Sequence, residues 1–417
     1  MLIGNPRSAR TRYPADLAAI MSIERADESR KWLAHWNGLA PAPTALHDLP
    51  ALARTLDLAR VSVKDESQRS PLGSFKALGA PIALVRLILR KWPAAALEPA
   101  RLLAGSHAKL IEHFTVTSAT DGNHGRALAA AAKSVGCRCV IVLHAKVSEE
   151  RERAIADFGA QIVRIAGNYD DSVTEAARLA AESGWHVVSD TSYAGYEDIP
   201  RDVMQGYGTI AAEAIEQTGA QRDAPGAFTH VFVQGGVGGL AAGFGSYLWQ
   251  FHGEHRPVFV VVEPEQADCL YQSAAVGRVA RSGGSIDSVM AGLACGEASP
   301  LAWRFLEPLV DHFMTIADTH AVEAMRIAAA GGGGDVPLVV GESGAAGLAG
   351  LIRLRRDRMR SHRAGLTATS RVLLINTEGA TAPSVYRDLV GESADSVFRR
   401  QGVWLRSPPH ADSRERK

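Results

Sequence analysis

Short apolar runs alternate with amphipathic segments from about residue 114 onward. Residues 140–143 and 161–165 are rich in β-branched and aliphatic side chains, which predicts two buried strands. Residues 149–158 and 172–182 repeat their apolar positions at helical spacing. Strands and helices that alternate in this order are typical of a parallel sheet covered by helices, so the pattern predicts an α/β fold.

A second series of apolar runs predicts a second parallel-type sheet. Its strands are expected at residues 229–233, 258–262 and 372–375, with a helical segment after the first of them. One long predicted helix, residues 201–219, is bounded by a proline and a glycine and joins the two series. Two open, twisted sheets with helices on their faces are therefore expected.

The two series predict two domains. Residues 71–204 form the predicted small domain, and residues 1–70 together with 205–417 form the predicted large domain. Within the large domain, residues 1–60 are expected to be an N-terminal extension that packs on the larger sheet. The polar residues 407–417 are expected to form a disordered tail.

Composition restricts the class of protein. The 417 residues are 46% hydrophobic and 22% charged, which is ordinary for a globular enzyme. Lys+Arg and Asp+Glu both number 45, so neither a nucleic-acid nor a membrane surface is expected. No apolar run reaches the roughly 18 residues of a membrane span, and residues 1–12 lack the apolar core of a signal peptide. A cytoplasmic protein is expected.

The placement of cysteine and histidine argues against metal chemistry. Cys137 and Cys139 lie at a strand start, and no further Cys or His cluster completes a zinc site. Cys269 and Cys295 flank a stretch rich in Gly and Ser, so a disulfide between them stays open, although it would be uncommon in a reducing cytoplasm. The 14 histidines are scattered, and no metal site is expected.

Lys76 is the first candidate for chemistry. It follows a turn-forming stretch and opens the apolar segment 77–89. A lysine at a helix start is unfavourable, because the positive end of the helix dipole disfavours a second positive charge. Two interpretations stay open from this residue alone. It is either a surface lysine that buries its stem, or a lysine whose lowered pKa lets it form a Schiff base with an aldehyde cofactor.

A second loop, residues 117–125, lies between a predicted strand and an alanine-rich helix. Its small and hydroxyl residues leave backbone N–H groups available to an anion such as a carboxylate. Asn123 can donate its amide to a phenolate oxygen, and Asp121 can accept a proton. An ordinary helix cap at either residue is the competing interpretation.

A third loop, residues 234–240, carries four glycines between a predicted strand and a predicted helix. Such a loop lets the backbone approach a phosphate at a helix N-terminus. A dinucleotide-binding turn is the rival interpretation, because Gly236, Gly238 and Ala241 fit the G-x-G-x-x-A form and Glu263 ends the next strand, where a ribose-binding acid would stand. The rival leaves Lys76 and the second loop without a role, whereas one phosphate cofactor accounts for all three.

These loops, in this order, resemble the pyridoxal-phosphate enzymes of fold type II, the tryptophan-synthase β type. More narrowly, the chain resembles the diaminopropionate ammonia-lyase family on residues 119–126, 190–200, 204–207 and 376–379. The resemblance covers about residues 20 to 390. It implies an active site in the cleft between a large and a small domain.

The resemblance also implies how the cofactor, pyridoxal 5'-phosphate, is held. Lys76 would carry it as a Schiff base, Asn123 would bond the ring hydroxyl oxygen, and Thr377 would bond the pyridine nitrogen. A neutral hydroxyl at that nitrogen weakens the electron sink and favours β-elimination over transamination. The phosphate would be bound by the backbone N–H groups of Gly235, Gly236, Val237, Gly238 and Gly239.

The implied reaction is the α,β-elimination of D- and L-2,3-diaminopropionate to pyruvate and two ammonia. Asp190 and Asp121 would lie on opposite faces of the bound substrate, and Asp190 would serve the L-isomer and Asp121 the D-isomer. Thr120 would bind the substrate together with these two acids. Without the family, Asp190 is equally well explained as a turn acid after a strand.

Three alternatives stay open at this point. The first keeps the cofactor and changes the substrate to serine or threonine. The second is a nicotinamide-dependent oxidoreductase built on the turn with Gly236, Gly238 and Ala241. The third is a binding protein of the same fold without catalysis. A small amino acid is the expected ligand in the preferred interpretation, and the family suggests a homodimer.

Overall fold

The computed structural model describes residues 1–120, 122–167 and 169–406. The predicted base Asp121 and the predicted tail 407–417 lie outside these residues. The described residues hold the following strands: β1 Leu2–Gly4, β2 Leu46–Asp48, β3 Arg60–Asp65, β4 Thr115–Ala119, β5 Arg138–Leu143, β6 Gln161–Arg164, β7 His186–Val187, β8 His230–Gln234, β9 Val258–Pro264, β10 His312–Ile316 and β11 Arg371–Asn376.

Two sheets organise the chain, as the two series of apolar runs predict. The larger sheet has the order β1-β10-β9-β8-β11-β3-β2, and the smaller sheet has the order β6-β5-β4-β7. The smaller sheet is entirely parallel. In the larger sheet only the two edge strands, β1 and β2, run antiparallel to their neighbours. The α/β fold with two parallel-type sheets is confirmed.

Helices cover the faces of both sheets. No helix in the described ranges is both long enough and apolar enough to cross a membrane. The α-helices are Ala15–Ile20, Ile23–Leu33, Pro50–Thr55, Ala80–Lys91, Pro99–Leu103, Ala108–Ile111, Asn123–Val135, Glu149–Ala156, Tyr169–Ser183, Asp198–Thr218, Gly239–His252, Cys269–Val276, Pro300–Leu309, Asp318–Ala330, Ala346–Arg356, Arg358–Arg363, Pro383–Val390 and Ala394–Arg406. Short 3₁₀ turns lie at Glu66–Gln68, Phe75–Leu78, Pro93–Ala95, Gly253–His255, Ala291–Leu293 and Gly332–Gly334.

The N-terminal segment does more than pack on the larger sheet. It supplies both edge strands, because β1 pairs with β10 and β2 pairs with β3. The long connecting helix begins at Asp198, three residues before the predicted start, and ends at Gly219, where a φ of 63° suits glycine. This helix includes residue 204, the predicted end of the small domain. The domain boundaries at residues 71 and 204 stay a prediction.

A buried charge cluster ties β3 to the long helix. Lys64 Nζ lies 2.6 Å from Glu213 Oε2, and Arg69 Nη1 lies 2.7 Å from Glu213 Oε1. Arg69 also donates to Glu66 at 2.8 Å. All four side chains are at most 4% exposed. Because each charge has an opposite partner, the cluster avoids the cost of an isolated buried ion.

The 3₁₀ turn Phe75–Leu78 carries Lys76 and packs directly against the long helix. Gly206 makes this possible, because a Cβ added there would lie 2.0 Å from the carbonyl oxygen of Leu78. The apolar helix predicted after Lys76 is Ala80–Lys91. Lys76 therefore lies in a separate short turn whose position depends on Gly206.

Replacing Gly206 with alanine is expected to destabilise the fold by about 1–3 kcal/mol, since backbone must move to relieve the overlap. Thermal unfolding of the purified variant measures this loss. Gly402→Ala is the matched helical control, because its nearest neighbour to an added Cβ is 3.6 Å away. Equal melting temperatures for the Gly206→Ala and Gly402→Ala variants would contradict the role of Gly206.

Candidate active site

A cavity of about 1160 Å³, including its open mouth, lies between the two sheets. The carboxyl ends of β4, β8 and β11 meet at its wall, which is where open parallel sheets bind ligands. The cavity brings together most of the residues that the sequence singled out. Those lining it are Lys76, Thr120, Asn123, Asp190, Gly235, Gly236, Val237, Gly239 and Thr377.

Lys76 forms an ion pair with Asp190. Its Nζ lies 2.5 Å from Asp190 Oδ2. Burial acts to lower the pKa of Lys76, but the Asp190 charge outweighs it, so the pKa is raised. Burial acts to raise the pKa of Asp190, and the Lys76 charge reverses this and holds that pKa well below its usual range. The expected lowering of the Lys76 pKa is therefore wrong for this arrangement, because a buried carboxylate stands beside the amine.

His124 lies next to this ion pair. Its Nε2 donates to the carbonyl oxygen of Val188 at 2.8 Å, so Nδ1 carries the lone pair. Nδ1 lies 3.9 Å from Asp190 Oδ2. Burial lowers the pKa of His124 more than the Asp190 charge raises it, so the ring is neutral at pH 7. The cavity thus holds an amine, a carboxylate and a neutral imidazole in contact.

The glycine loop forms another part of the cavity wall. Gly236 and Gly238 adopt φ values of 66° and 100°, which glycine tolerates without strain, and the helix Gly239–His252 begins directly after them. The amide of Gly235 already donates to the carbonyl oxygen of Val262 at 2.9 Å, so it continues the sheet rather than facing the cavity. Among the described residues, the next four amides have no backbone acceptor. These four N–H groups at a helix N-terminus form an anion cradle.

Glu263 does not serve the dinucleotide interpretation. Its two carboxylate oxygens accept the backbone N–H groups of Leu270 and Tyr271 at 2.9 and 2.7 Å. Burial raises its pKa to about 8. A Cβ at Gly235 would lie 2.4 Å from Glu263 Cγ, so the glycine is needed to let this acid pack beneath the loop. Glu263 is engaged in the fold and is not presented to a ribose.

Cys269 and Cys295 each carry a thiol group. Cys269 and Cys295, both within the described residues, share no disulfide bond. The Cys269 thiol is buried and donates to the carbonyl oxygen of Gly236 at 3.4 Å, beneath the glycine loop. Burial raises the pKa of Cys269 well above its usual value.

The Glu378 carboxylate, to which the sequence analysis gave no role, lines the cavity next to the second loop. Asn123, the first residue of its helix, donates its side-chain amide to Glu378 Oε2. The backbone N–H of Ser343 donates to Glu378 Oε1 at 3.0 Å. Nearby, Arg151 Nη2 lies 3.2 Å from Glu342 Oε1. Burial, followed by the Glu378 charge, raises the pKa of Glu342 to about 7.

Thr120 and Thr377 complete the wall. The Thr120 hydroxyl accepts the backbone N–H groups of Gly122 and Gly125 at 3.2 and 3.3 Å, and it can still donate its own hydrogen. Thr377 is buried, and its carbonyl oxygen accepts the backbone N–H of Phe75 at 3.0 Å. Thr377 is therefore fixed directly against the turn that carries Lys76.

Comparison with known proteins shows the family of this chain. Residues 39–378 match the family model of pyridoxal-phosphate dependent enzymes. The chain is 37% identical over 360 residues to diaminopropionate ammonia-lyase of Escherichia coli K12, covering 85% of this chain and 89% of that protein. It is 39% identical over 363 residues to the Salmonella typhimurium enzyme of the same name, again covering 85% and 89%.

Solved structures extend this similarity. The structure of the Escherichia coli diaminopropionate ammonia-lyase with an aminoacrylate-PLP azomethine reaction intermediate superposes with a TM-score of 0.83. Its sequence is 34% identical, and the match covers 94% of this chain and 96% of that chain. The chain therefore belongs to the pyridoxal-phosphate-dependent enzymes of fold type II and, within them, to the diaminopropionate ammonia-lyase family.

Proposed function

We propose that this chain catalyses the α,β-elimination of D- and L-2,3-diaminopropionate to pyruvate and two ammonia. The observation that carries the proposal is the pairing of Lys76 with Asp190 in a cavity that the glycine loop also lines. An amine for attachment, a proton acceptor and a phosphate site are the three groups that this chemistry needs. The substrate is inferred from the names of the relatives.

The residues of the cavity fit pyridoxal phosphate. When bound, the cofactor supplies an electron sink for the charge that remains after an amino acid loses its α-proton. Lys76 would hold it covalently, Asn123 would donate to the ring oxygen, and Thr377 would donate to the ring nitrogen. The cradle for the phosphate consists of the N–H groups of Gly236, Val237, Gly238 and Gly239, with Gly235 in the wall beneath them.

Asp190 is the proposed base for the L-isomer. Its low pKa depends on the positive charge of Lys76. Whenever Lys76 is uncharged, that stabilisation would be lost, so the pKa of Asp190 would rise and its carboxylate would be a better proton acceptor. Thr120 is proposed to bind the substrate carboxylate. Asp121, which lies outside the described residues, remains the proposed base for the D-isomer.

The test is pyruvate formation from separate D- and L-2,3-diaminopropionate by the purified holoenzyme, followed with a coupled lactate dehydrogenase assay. We expect turnover of both isomers and much slower turnover of serine. Preferential turnover of serine or threonine would replace the proposal with a dehydratase. No pyruvate from either isomer of diaminopropionate would overturn the proposed reaction.

Replacing Asp190 with asparagine is expected to lower kcat/KM for the L-isomer by about 10²–10⁴-fold, the usual contribution of a positioned base. Turnover of the D-isomer should fall much less, because the amide keeps the shape of the cavity. The reciprocal variant, Asp121→Asn, should show the opposite preference. If either variant lost activity toward both isomers equally, the assignment of one acid to each isomer would be refuted.

The wider organisation is also proposed. The family resemblance supports a homodimer, which sedimentation of the purified holoenzyme measures directly. Thiols at Cys269 and Cys295 agree with a reducing compartment and support a cytoplasmic location. The two-sheet arrangement supports residues 71–204 as a small domain against residues 1–70 and 205–417.

A further inference from the structure

We propose that the Glu378 carboxylate binds the side-chain ammonium group of the substrate and so selects diaminopropionate over serine. The proposal rests on the proposed function and names the residue that recognises the leaving group. Serine carries a neutral hydroxyl where diaminopropionate carries a nitrogen. A carboxylate in the cavity therefore discriminates between them by charge.

The first argument is the surroundings of Glu378. The side chain lines the cavity, and the residue is only 5% exposed. Its recorded partners are the Asn123 amide, the Ser343 backbone N–H at 3.0 Å and the Thr381 hydroxyl at 3.5 Å. All three donors are neutral. No Lys, Arg or His in the described part of the chain forms a salt bridge with it, although buried carboxylates are almost always paired.

The second argument is that the other cations of the cavity, among the described residues, already have partners. Lys76 is paired with Asp190, and Arg151 is paired with Glu342. Arg126 donates to the backbone carbonyl oxygens of Leu72 and Pro71. None of these three cations pairs with Glu378 among the described residues, so its carboxylate remains available to a cation of the ligand.

Glu342 supplies independent support. It is 1% exposed, and its Oε2 has no hydrogen-bond partner among the described residues. The Arg151 guanidinium holds only its other oxygen, Oε1. This buried oxygen without a partner is a further polar atom next to Glu378. The wall therefore favours a ligand group that can form several hydrogen bonds, as an ammonium group does.

A bound ammonium also suits the elimination. Nitrogen leaves as neutral ammonia only if it carries three hydrogens before the Cβ–N bond breaks. The α-proton goes to the base, the Cα–H electron pair forms the Cα=Cβ bond, and the Cβ–N electron pair departs with the nitrogen as NH₃. A carboxylate beside the nitrogen favours its protonated form, so Glu378 would keep the leaving group ready.

Glu378 also holds Asn123, and this positioning role predicts a different outcome. Asn123 is proposed to contact the cofactor, so a misplaced Asn123 would slow every substrate by the same factor. Recognition of the ammonium group would change only the ratio between substrates. The ratio of kcat/KM for diaminopropionate to kcat/KM for serine therefore separates the two roles.

The experiment compares Glu378→Gln with the wild-type holoenzyme on L-2,3-diaminopropionate and L-serine. We expect kcat/KM for diaminopropionate to fall by about 10- to 100-fold, the usual loss for a hydrogen bond to a charged group, and kcat/KM for serine to stay within about twofold. Glu150→Gln is the control, because among the described residues its carboxylate accepts hydrogen bonds from Ser384 alone and is not part of the cavity lining. Equal losses on both substrates, or no loss on either, would overturn the proposal.

A second measurement uses the wild type and does not depend on how the variant folds. L-2,4-diaminobutyrate lacks a β leaving group and carries a side-chain ammonium, and norvaline is its uncharged isostere. We expect diaminobutyrate to inhibit at least about tenfold more strongly, and equal inhibition would overturn the proposal. If the wild type makes no pyruvate from diaminopropionate, the proposed function fails. The other case is that the wild type makes pyruvate from diaminopropionate while Glu378→Gln keeps the wild-type ratio of kcat/KM for diaminopropionate to kcat/KM for serine. In that case only the role of Glu378 fails.

Discussion

Lys76→Ala is expected to lower pyruvate formation from 2,3-diaminopropionate by about 10³-fold or more. Lys76 is the only lysine that lines the cavity in the described ranges, so no other amine is placed to attach the cofactor. The substitution also breaks the ion pair that holds the Asp190 carboxylate in place. Few single changes in the chain should affect activity more.

Two readouts distinguish this result from misfolding. The visible absorbance of the bound cofactor should shift, because the bond to the lysine is absent, while circular dichroism stays unchanged. Lys133→Ala is the matched control, since Lys133 is exposed on the helix Asn123–Val135. A Lys76→Ala enzyme with wild-type absorbance and turnover would refute the assignment of Lys76.

The second large effect is on stability and lies outside the cavity. Glu213→Ala is expected to lower the free energy of unfolding by about 3–5 kcal/mol, because Lys64 and Arg69 would keep their charges in the core without that partner. Urea unfolding at neutral pH measures the loss. Glu216→Ala is the control on the same helix, because its side chain is 57% exposed and a surface ion pair contributes only about 0–1 kcal/mol.

The same cluster makes stability depend on pH. Burial acts to raise the pKa of Glu213, but the bond and charge of Arg69 outweigh it, so the pKa is lowered in the folded protein. A lowered carboxyl pKa stabilises the fold above the ordinary value of about 4.3, and this contribution is lost as the pH falls through the folded-state pKa. The difference in unfolding free energy between wild type and Glu213→Ala should therefore shrink in acid. A difference that is constant with pH would contradict the charge argument.

The strands that the sequence predicted are those with an uninterrupted apolar run. β5, β8, β9 and β11 are buried, and each is a short run of mostly aliphatic or aromatic side chains, which is typical of a buried strand. β3 was missed because Lys64 and Asp65 stand inside it, and only their distant partners make these charges compatible with a core strand. β1 and β2 are three-residue edge strands, which are too short to show a period.

The candidate site was predicted unevenly for a similar reason. Lys76 and the glycine loop carry local signals, since a misplaced charge and a run of glycines are visible in a short window. The role of Glu378 is invisible in such a window, because Asn123 lies 255 residues away. For Gly235, the local sequence suggested a role that its N–H group does not have. Its neighbours suggest a phosphate contact, but its N–H continues the ladder to β9.

The helix Asp198–Thr218 has a further consequence for hydrogen exchange. Gly206 abuts the turn that carries Lys76, and Glu213, about 10 Å further along the axis, anchors the buried charges. One rigid helix therefore supports both the turn with Lys76 and the buried charges. Local unfolding at one end of this helix would disturb the other end. Amide exchange along its whole length should require a large, near-global opening, and cofactor binding should slow exchange at the Glu213 end as well as beside the cavity.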